Sequence, residues 1–144
     1  MDCFQPKIIA FCCEYCGYAA ADLAGILRLD YPEAIRIIRV PCTGKVDVLQ
    51  MLRAIQKGAD GVFLAGCLEG SCHFVEGNIR AAQRVRHVQT LLKEAGIEED
   101  RVRMYNLSSS DGHAFAAYAK EMTENVLRLG PNPLRQRPCP NEKP

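Results

Sequence analysis

No stretch of this sequence offers the roughly 20 consecutive apolar residues that a helix needs to cross a bilayer, so a membrane-spanning role is not expected. Neither sign of charge dominates: 18 lysines and arginines stand against 17 aspartates and glutamates, a net charge of +1. That balance leaves no electrostatic case for nucleic acid or an anionic membrane surface as a partner. The opening residues, Met1-Asp2-Cys3-Phe4-Gln5-Pro6, lack the basic start and long apolar core of a secretory signal, and the chain is expected in the cytosol. No internal repeat and no second domain are discernible. The 144 residues are enough for one domain with a core that needs no disulfide staples.

What is present in excess is cysteine, eight in all. In a reducing compartment, clustered cysteines bind metal or carry out redox chemistry more often than they form structural disulfides. Their placement follows from the pattern of elements. Apolar runs at Lys7 to Phe11, Ile35 to Val40 and Gly61 to Ala65 read as short buried strands, and Arg101 to Leu107 as a more exposed one. Between them, helical spacing appears in Leu23, Ile26 and Leu27, with Tyr31-Pro32 as the stop, and in Val48, Leu52 and Ile55, ended by Gly58. A longer helix places Ile79, Ala82, Val85, Val88, Leu92 and Ala95 on one face, leaves Arg80, Arg84, Arg86 and Lys93 to solvent, and closes at Gly96. A last helix is expected from an N-cap at Asp111, burying Phe115, Ala119, Met122, Val126 and Leu129.

Strand and helix alternate four times, which predicts an α/β domain over residues 1–130 with a mainly parallel sheet of about four strands and helices on both faces. Five of the eight prolines fall beyond Gly130, so residues 131–144 are expected to form an extended tail that orders only against a partner.

In a parallel sheet the loops after the strands share one edge, where such folds place ligands. That topology gathers Cys13, Cys16, Cys42, Cys67 and Cys72 into one corner. Gly17, Gly44, Gly66 and Gly70 lie in the same loops. Of these, Gly44, Gly66 and Gly70 are expected to let backbone approach a bound cluster and aim N–H groups at it. Four thiolates suit a [2Fe–2S] cluster, a [4Fe–4S] cluster or structural zinc. One CxxC (Cys13, Cys16), a lone Cys42 and a CxxxxC (Cys67, Cys72) match neither the paired knuckles of zinc sites nor the compact run of bacterial ferredoxins.

The segments FCCEYCGYAAADLAG from Phe11 to Gly25, IRVPCTGKVD ending at Asp47, GADGVFLAGCLEGSCHFVEGN from Gly58 to Asn78 and LRLGPNPL ending at Leu134 together resemble the methyl-viologen-reducing hydrogenase delta-subunit family. The likeness runs from about residue 7 to residue 134. It implies a [2Fe–2S] protein that carries electrons from a hydrogenase or formate dehydrogenase to a flavin- and iron–sulfur-containing heterodisulfide reductase A-type subunit, in an assembly capable of electron bifurcation. It also implies ligands drawn from Cys13, Cys16, Cys42, Cys67 and Cys72, one of them spare. Cys16, which starts a helix rather than ending a strand, is the expected spare. The chain departs from the family pattern at Tyr15, where tryptophan is common, and at Leu68, where histidine is common; neither change removes a thiol.

Bland readings accompany these. Cys12 is expected to be a small buried hydrophobe, and Cys3 and Cys139 bystanders. His73 reads as a structural hydrogen-bonder, and His87 and His113 as surface groups. Glu69 and Asp22 have no partner for acid–base catalysis, and the Gly66 to Gly70 loop lacks the lysine and hydroxyl of a phosphate loop. The basic stripe of the third helix reads as a solvated face that could also dock an acidic partner. Two other functions remain open at this point: a thioredoxin-like dithiol oxidoreductase using Cys13 and Cys16, and a zinc-stabilised adaptor.

Overall fold

The computed structural model describes residues 5–28, 35–67 and 77–134. Within them, four strands, β1 (Ile8–Cys13), β2 (Ile35–Val40), β3 (Gly61–Gly66) and β4 (Val102–Asn106), form one sheet in the order β2-β1-β3-β4. Every pairing is parallel. Helices α1 (Gly17–Ile26), α2 (Val48–Gln56), α3 (Gly77–Glu94) and α4 (Gly112–Leu129) connect or follow the strands, with short 3₁₀ turns at Thr43–Lys45 and Glu99–Arg101. The α/β architecture inferred from the alternating pattern is the one observed.

Two apolar layers sandwich the sheet. On one face α1 and α4 pack over Ile8, Ala10, Cys12, Phe63, Ala65 and Tyr105. On the other, α2 and α3 pack over Phe11, Val62, Leu64 and Val102. The inner strands β1 and β3 are hidden on both sides, as continuous apolar runs require. Strand β2, expected to be buried, is an outer strand instead, and its Ile38 is 43% exposed. Arg36 and Arg39, both exposed among its isoleucines, reflect that half-solvated position.

Helix α1 corrects another expectation. Its buried residues are Gly17, Ala20, Ala21 and Ala24, while Ile26 and Leu27 face outward. The cause is close packing. A Cβ on Gly17 would lie 2.1 Å from the Ala65 carbonyl oxygen, and one on Gly112 would lie 3.0 Å from the Ala24 nitrogen. A helix seated that near both β3 and the start of α4 has room only for small side chains.

Helix α2 buries Met51 and Ile55, with Val48 and Leu52 only partly covered, and a full capping box at Asp47 and Gln50 sets its start. In α3, Val85, Val88 and Leu92 are buried as anticipated, but Ala81 replaces Ala82 in the core and Ile79 and Ala95 are exposed. Asp111 caps α4 by accepting from the Ala114 N–H, and Phe115, Ala119, Met122 and Val126 form its buried stripe, with Leu129 half-buried.

The described chain does not end loosely at Gly130. Asn132 is buried, and its side-chain amide donates to the Ile55 and Ala59 carbonyls at 2.7 and 2.8 Å. Residues 135–144 of the expected tail lie outside the described residues, as does the Tyr31-Pro32 helix stop. No helix among the described residues is long and apolar enough to cross a membrane.

Candidate metal centre

Between β1 and β3 the connections leave in opposite directions, β1 towards β2 on one side and β3 towards β4 on the other. This is the switch point of the sheet, where a crevice opens beyond the carboxyl ends of the strands. Cys13 closes β1 and Cys67 follows β3 directly, so the two side chains meet across that crevice with sulfurs 3.7 Å apart. Cys16 comes from the turn into α1. The thiols of Cys13, Cys16 and Cys67 all lie within 4.8 Å of one another, with Cys13 and Cys67 buried and Cys16 half-buried. Cys16, the expected spare, thus has its sulfur in the group.

The start of α1 is turned towards this group. The N–H groups of Cys16 and Gly17 donate to the Cys13 sulfur at 3.3 and 3.1 Å. These are first-turn N–H groups that the helix cannot pair internally, and together with the helix dipole they stabilise negative charge on sulfur. Close approach of Gly17 to Ala65 makes this aim possible, because any side chain there would push α1 away.

Cys67 is held from behind. The side-chain amides of Asn78, at the start of α3, and Asn106, at the end of β4, donate to its carbonyl oxygen at 2.9 and 2.7 Å. Burial pushes the Cys67 thiol up, and the hydrogen bond with Cys16 and the adjoining Cys13 sulfur push the same way. The buried Cys67 thiol resists becoming an anion here, and a bound cation would compensate the charge of thiolate ligands. The donor set therefore fits a thiophilic metal or cluster.

Cys42 is buried after β2 but is not part of the three-thiol group. It caps the Thr43–Lys45 turn, its sulfur accepting from the Gly44 N–H at 3.4 Å. That turn is wedged into place. A Cβ on Gly44 would lie 2.8 Å from the Gly77 Cα, and one on Gly66 would lie 2.9 Å from the Thr43 hydroxyl. So Gly44 makes room for the Gly77 backbone and Gly66 for the Thr43 and Met104 side chains. Cys72, Gly70 and His73, together with Glu69 and Leu68, lie outside the described residues, as do Cys3 and Cys139.

Arg84 is the main correction at the site. The helical pattern assigns it to solvent, yet it reaches the Cys42 turn and donates to the carbonyls of Gly44 and Val46, the latter at 3.1 Å. Asn78 and Asn106 are not foreseen by the pattern either; both are polar residues flanking apolar runs, a signal too common to single them out. Cys12 alternates to the opposite face of β1, fully buried among Ala20, Phe63 and Ala65, with burial and then the neighbouring Cys13 raising its thiol to about 12. His87 and His113 are exposed.

A family model described as methyl-viologen-reducing hydrogenase, delta subunit, matches residues 8–130. The D-type iron-sulfur subunit of the vhu F420-non-reducing hydrogenase of Methanocaldococcus jannaschii is 50% identical over 131 residues, covering 91% of this chain and 98% of the relative. The protein of the same description in Methanococcus maripaludis is 49% identical over the same shares. A longer relative, the A-type subunit of the ferredoxin/F420H2-dependent CoB-CoM heterodisulfide reductase of Methanosarcina acetivorans, is 38% identical over 126 residues, 88% of this chain but 16% of that protein.

Proposed function

The chain belongs to the methyl-viologen-reducing hydrogenase delta-subunit family, and from that premise we propose that it is a non-catalytic electron-transfer subunit holding one [2Fe–2S] cluster. The observation that carries this reading is the group of Cys13, Cys16 and Cys67 at the switch point, with helix N–H groups aimed at its sulfur. These three cysteines are proposed as ligands, with the fourth thiolate drawn from Cys42 or Cys72. When bound, the cluster takes up and returns one electron at a time.

The work of the chain is to hold and tune. N–H groups of Cys16 and Gly17 stabilise thiolate at Cys13, and burial of Cys13 and Cys67 limits water at the sulfur atoms. Asn78 and Asn106 fix the Cys67 backbone so that its sulfur keeps one direction. Gly44 orients Cys42 through its N–H, and Gly66, lacking a Cβ, lets the Thr43 and Met104 side chains come near.

The proposed neighbours are a hydrogenase, or alternatively a formate dehydrogenase, upstream and a heterodisulfide reductase A-type flavoprotein downstream, in a cytoplasmic bifurcating assembly. Relatives named as hydrogenase subunits support the first link. The second is supported by a relative in which a stretch similar to this chain lies within the A-type polypeptide of a heterodisulfide reductase. Two functions found in one polypeptide in one lineage are commonly in contact as separate chains in another.

Oxygen-free protein reduced with dithionite is expected to give a rhombic [2Fe–2S] electron paramagnetic resonance signal, with about two irons and two acid-labile sulfides per chain. Stoichiometric zinc without iron would support an adaptor instead. A metal-free protein that reduces insulin disulfides would support a dithiol oxidoreductase.

A further inference from the structure

We propose that the groove between α2 and the outer strand β2 is a docking site for an extended, acidic segment of a protein partner. The groove encloses about 590 Å³ and is lined by Lys7, Ile9, Phe11, Arg36, Ile38, Gln50, Arg53, Ala54, Lys57 and Ala59. Its origin is topological. Helix α2 packs mainly against β3 and α3, burying Met51 and Ile55, so among the described residues it leaves much of the outer strand β2 uncovered. Arg36 pairs in register with Ile9, and Ile38 with Phe11. These four residues share the face on which α2 packs, with Phe11 buried beneath the helix side and Arg36 and Ile38 at its open edge.

The lining decides the occupant. Its floor is apolar, from Ile9, Phe11 and Ile38, and among the described residues its rim holds four cations and no anion. None of the side chains of Lys7, Arg36, Arg53 or Lys57 forms an ion pair among the described residues. Four like charges around apolar surface fit a segment that alternates carboxylates with apolar side chains. Beyond β2 no further strand is paired among the described residues, so its outer backbone N–H and C=O groups can take up an added strand.

Other occupants fit less well. A phosphate group favours an open helix N-terminus, but the start of α2 is closed by its own Asp47 and Gln50. The chain's own last ten residues carry Arg135, Arg137 and Lys143 against Glu142, the same sign as the rim. The charged end of the groove at Lys7 lies about 20 Å of strand from Cys13, while its Phe11 end comes within about 7 Å of strand of it. The chain could be anchored through this groove while its thiol edge faces a second neighbour.

The test uses the intact assembly, isolated without oxygen from the native host through a tag on this chain. A carbodiimide joins a lysine amine to a carboxylate only where the two already touch. Lys7 and Lys57 are expected to crosslink to aspartates and glutamates of one contiguous partner segment, and to be shielded from amine acetylation relative to the isolated chain. The pair Arg36→Glu and Arg53→Glu is expected to weaken partner retention roughly tenfold, with iron content and visible spectrum unchanged. Equal acetylation of Lys7 and Lys57 in the assembly and the isolated chain would overturn the proposal. So would crosslinks to this chain's own Asp30, Glu33 or Glu142, crosslinks to a second copy, or shielding abolished by nuclease. Because metal content is read separately, loss of the cluster assignment would leave this result standing, and the reverse holds too.

Discussion

At its carboxyl end strand β1 finishes in Cys13, whose sulfur sits 3.7 Å from that of Cys67 and collects two helix N–H groups. At its amino end Lys7 donates its N–H to the buried Asp60 carboxylate, and its carbonyl accepts from Asp60 and Gly61. Asn132 donates to the other Asp60 oxygen, and Arg101, fully buried, donates to the Asp60 and Pro131 carbonyls and to Glu98. The amino end is a closed network in which hydrogen bonds join the start of the sheet to the segment after α4. The carboxyl end is an assembly of thiols that repel one another as anions. One end holds the fold; the other stores a need for positive charge that a metal would meet.

If that division is right, the two ends fail differently when broken. The largest effect is expected for Cys67→Ser: nearly all bound iron should be lost, read by iron analysis and visible absorption, while the thermal midpoint of the metal-free protein stays within a few degrees of its parent. Cys12→Ala, one residue from Cys13 but in the core, should do the reverse, costing about 1 kcal/mol and keeping the iron. Iron retained in Cys67→Ser would remove the switch-point corner as the metal site.

At the other end, Arg101→Met is expected to cost about 3 kcal/mol, measured by urea unfolding, because it leaves the buried Asp60 carbonyl and the part-buried Pro131 carbonyl without this donor. Below its midpoint the variant should still load iron to the parental level. An Arg101→Met protein that folds fully but fails to take up iron would show the two ends to be coupled.

Between these lies Arg84, which stands beside the buried stripe of α3 and reaches the cysteine corner. Arg84→Met should cost about 1 kcal/mol through loss of its bonds to the Gly44 and Val46 carbonyls. It should also free the Cys42 turn, seen as faster alkylation of Cys42 in the metal-free protein, whereas Cys13 alkylation stays at the parental rate. Parental alkylation of Cys42 would make Arg84 a surface group after all.

Such a role is hidden in the sequence for a definable reason. Periodicity locates the buried stripe of a helix, and it does so for Val85, Val88 and Leu92, but it treats every arginine beside the stripe as solvated. Whether a long side chain turns back onto a neighbouring loop depends on that loop's position. The meeting of Cys13 with Cys67 is legible, because residues at the carboxyl ends of adjacent parallel strands share an edge, whereas Cys42, also after a strand, stays outside the three-thiol group. The burial of α1 is not. Its hydrophobic residues Ile26 and Leu27 point to the wrong face, since the decisive constraint is the space beneath Gly17 and Ala24, a property of β3 and α4 rather than of the helix. The outward face of β2 follows from strand order, which alternation alone does not supply.

The smallest expected effect concerns acid stability at the amino end. The hydrogen bond from Arg101 holds the Glu98 carboxyl below its ordinary range, against a smaller opposing effect of burial. A depressed carboxylate contributes stability that is fully present above its unfolded value and fades as pH falls through the folded one. Unfolding midpoints of the parent should therefore drop on acidification more steeply than those of Glu98→Gln, with the two curves meeting at low pH. Because Glu98 is partly exposed, the difference should be modest and shrink in salt. In an Arg101→Met background, Glu98→Gln should leave the acid limb unchanged, which ties the effect to this pair rather than to net charge. A persistent difference there would mean that Glu98 draws its stabilisation from some other part of the network.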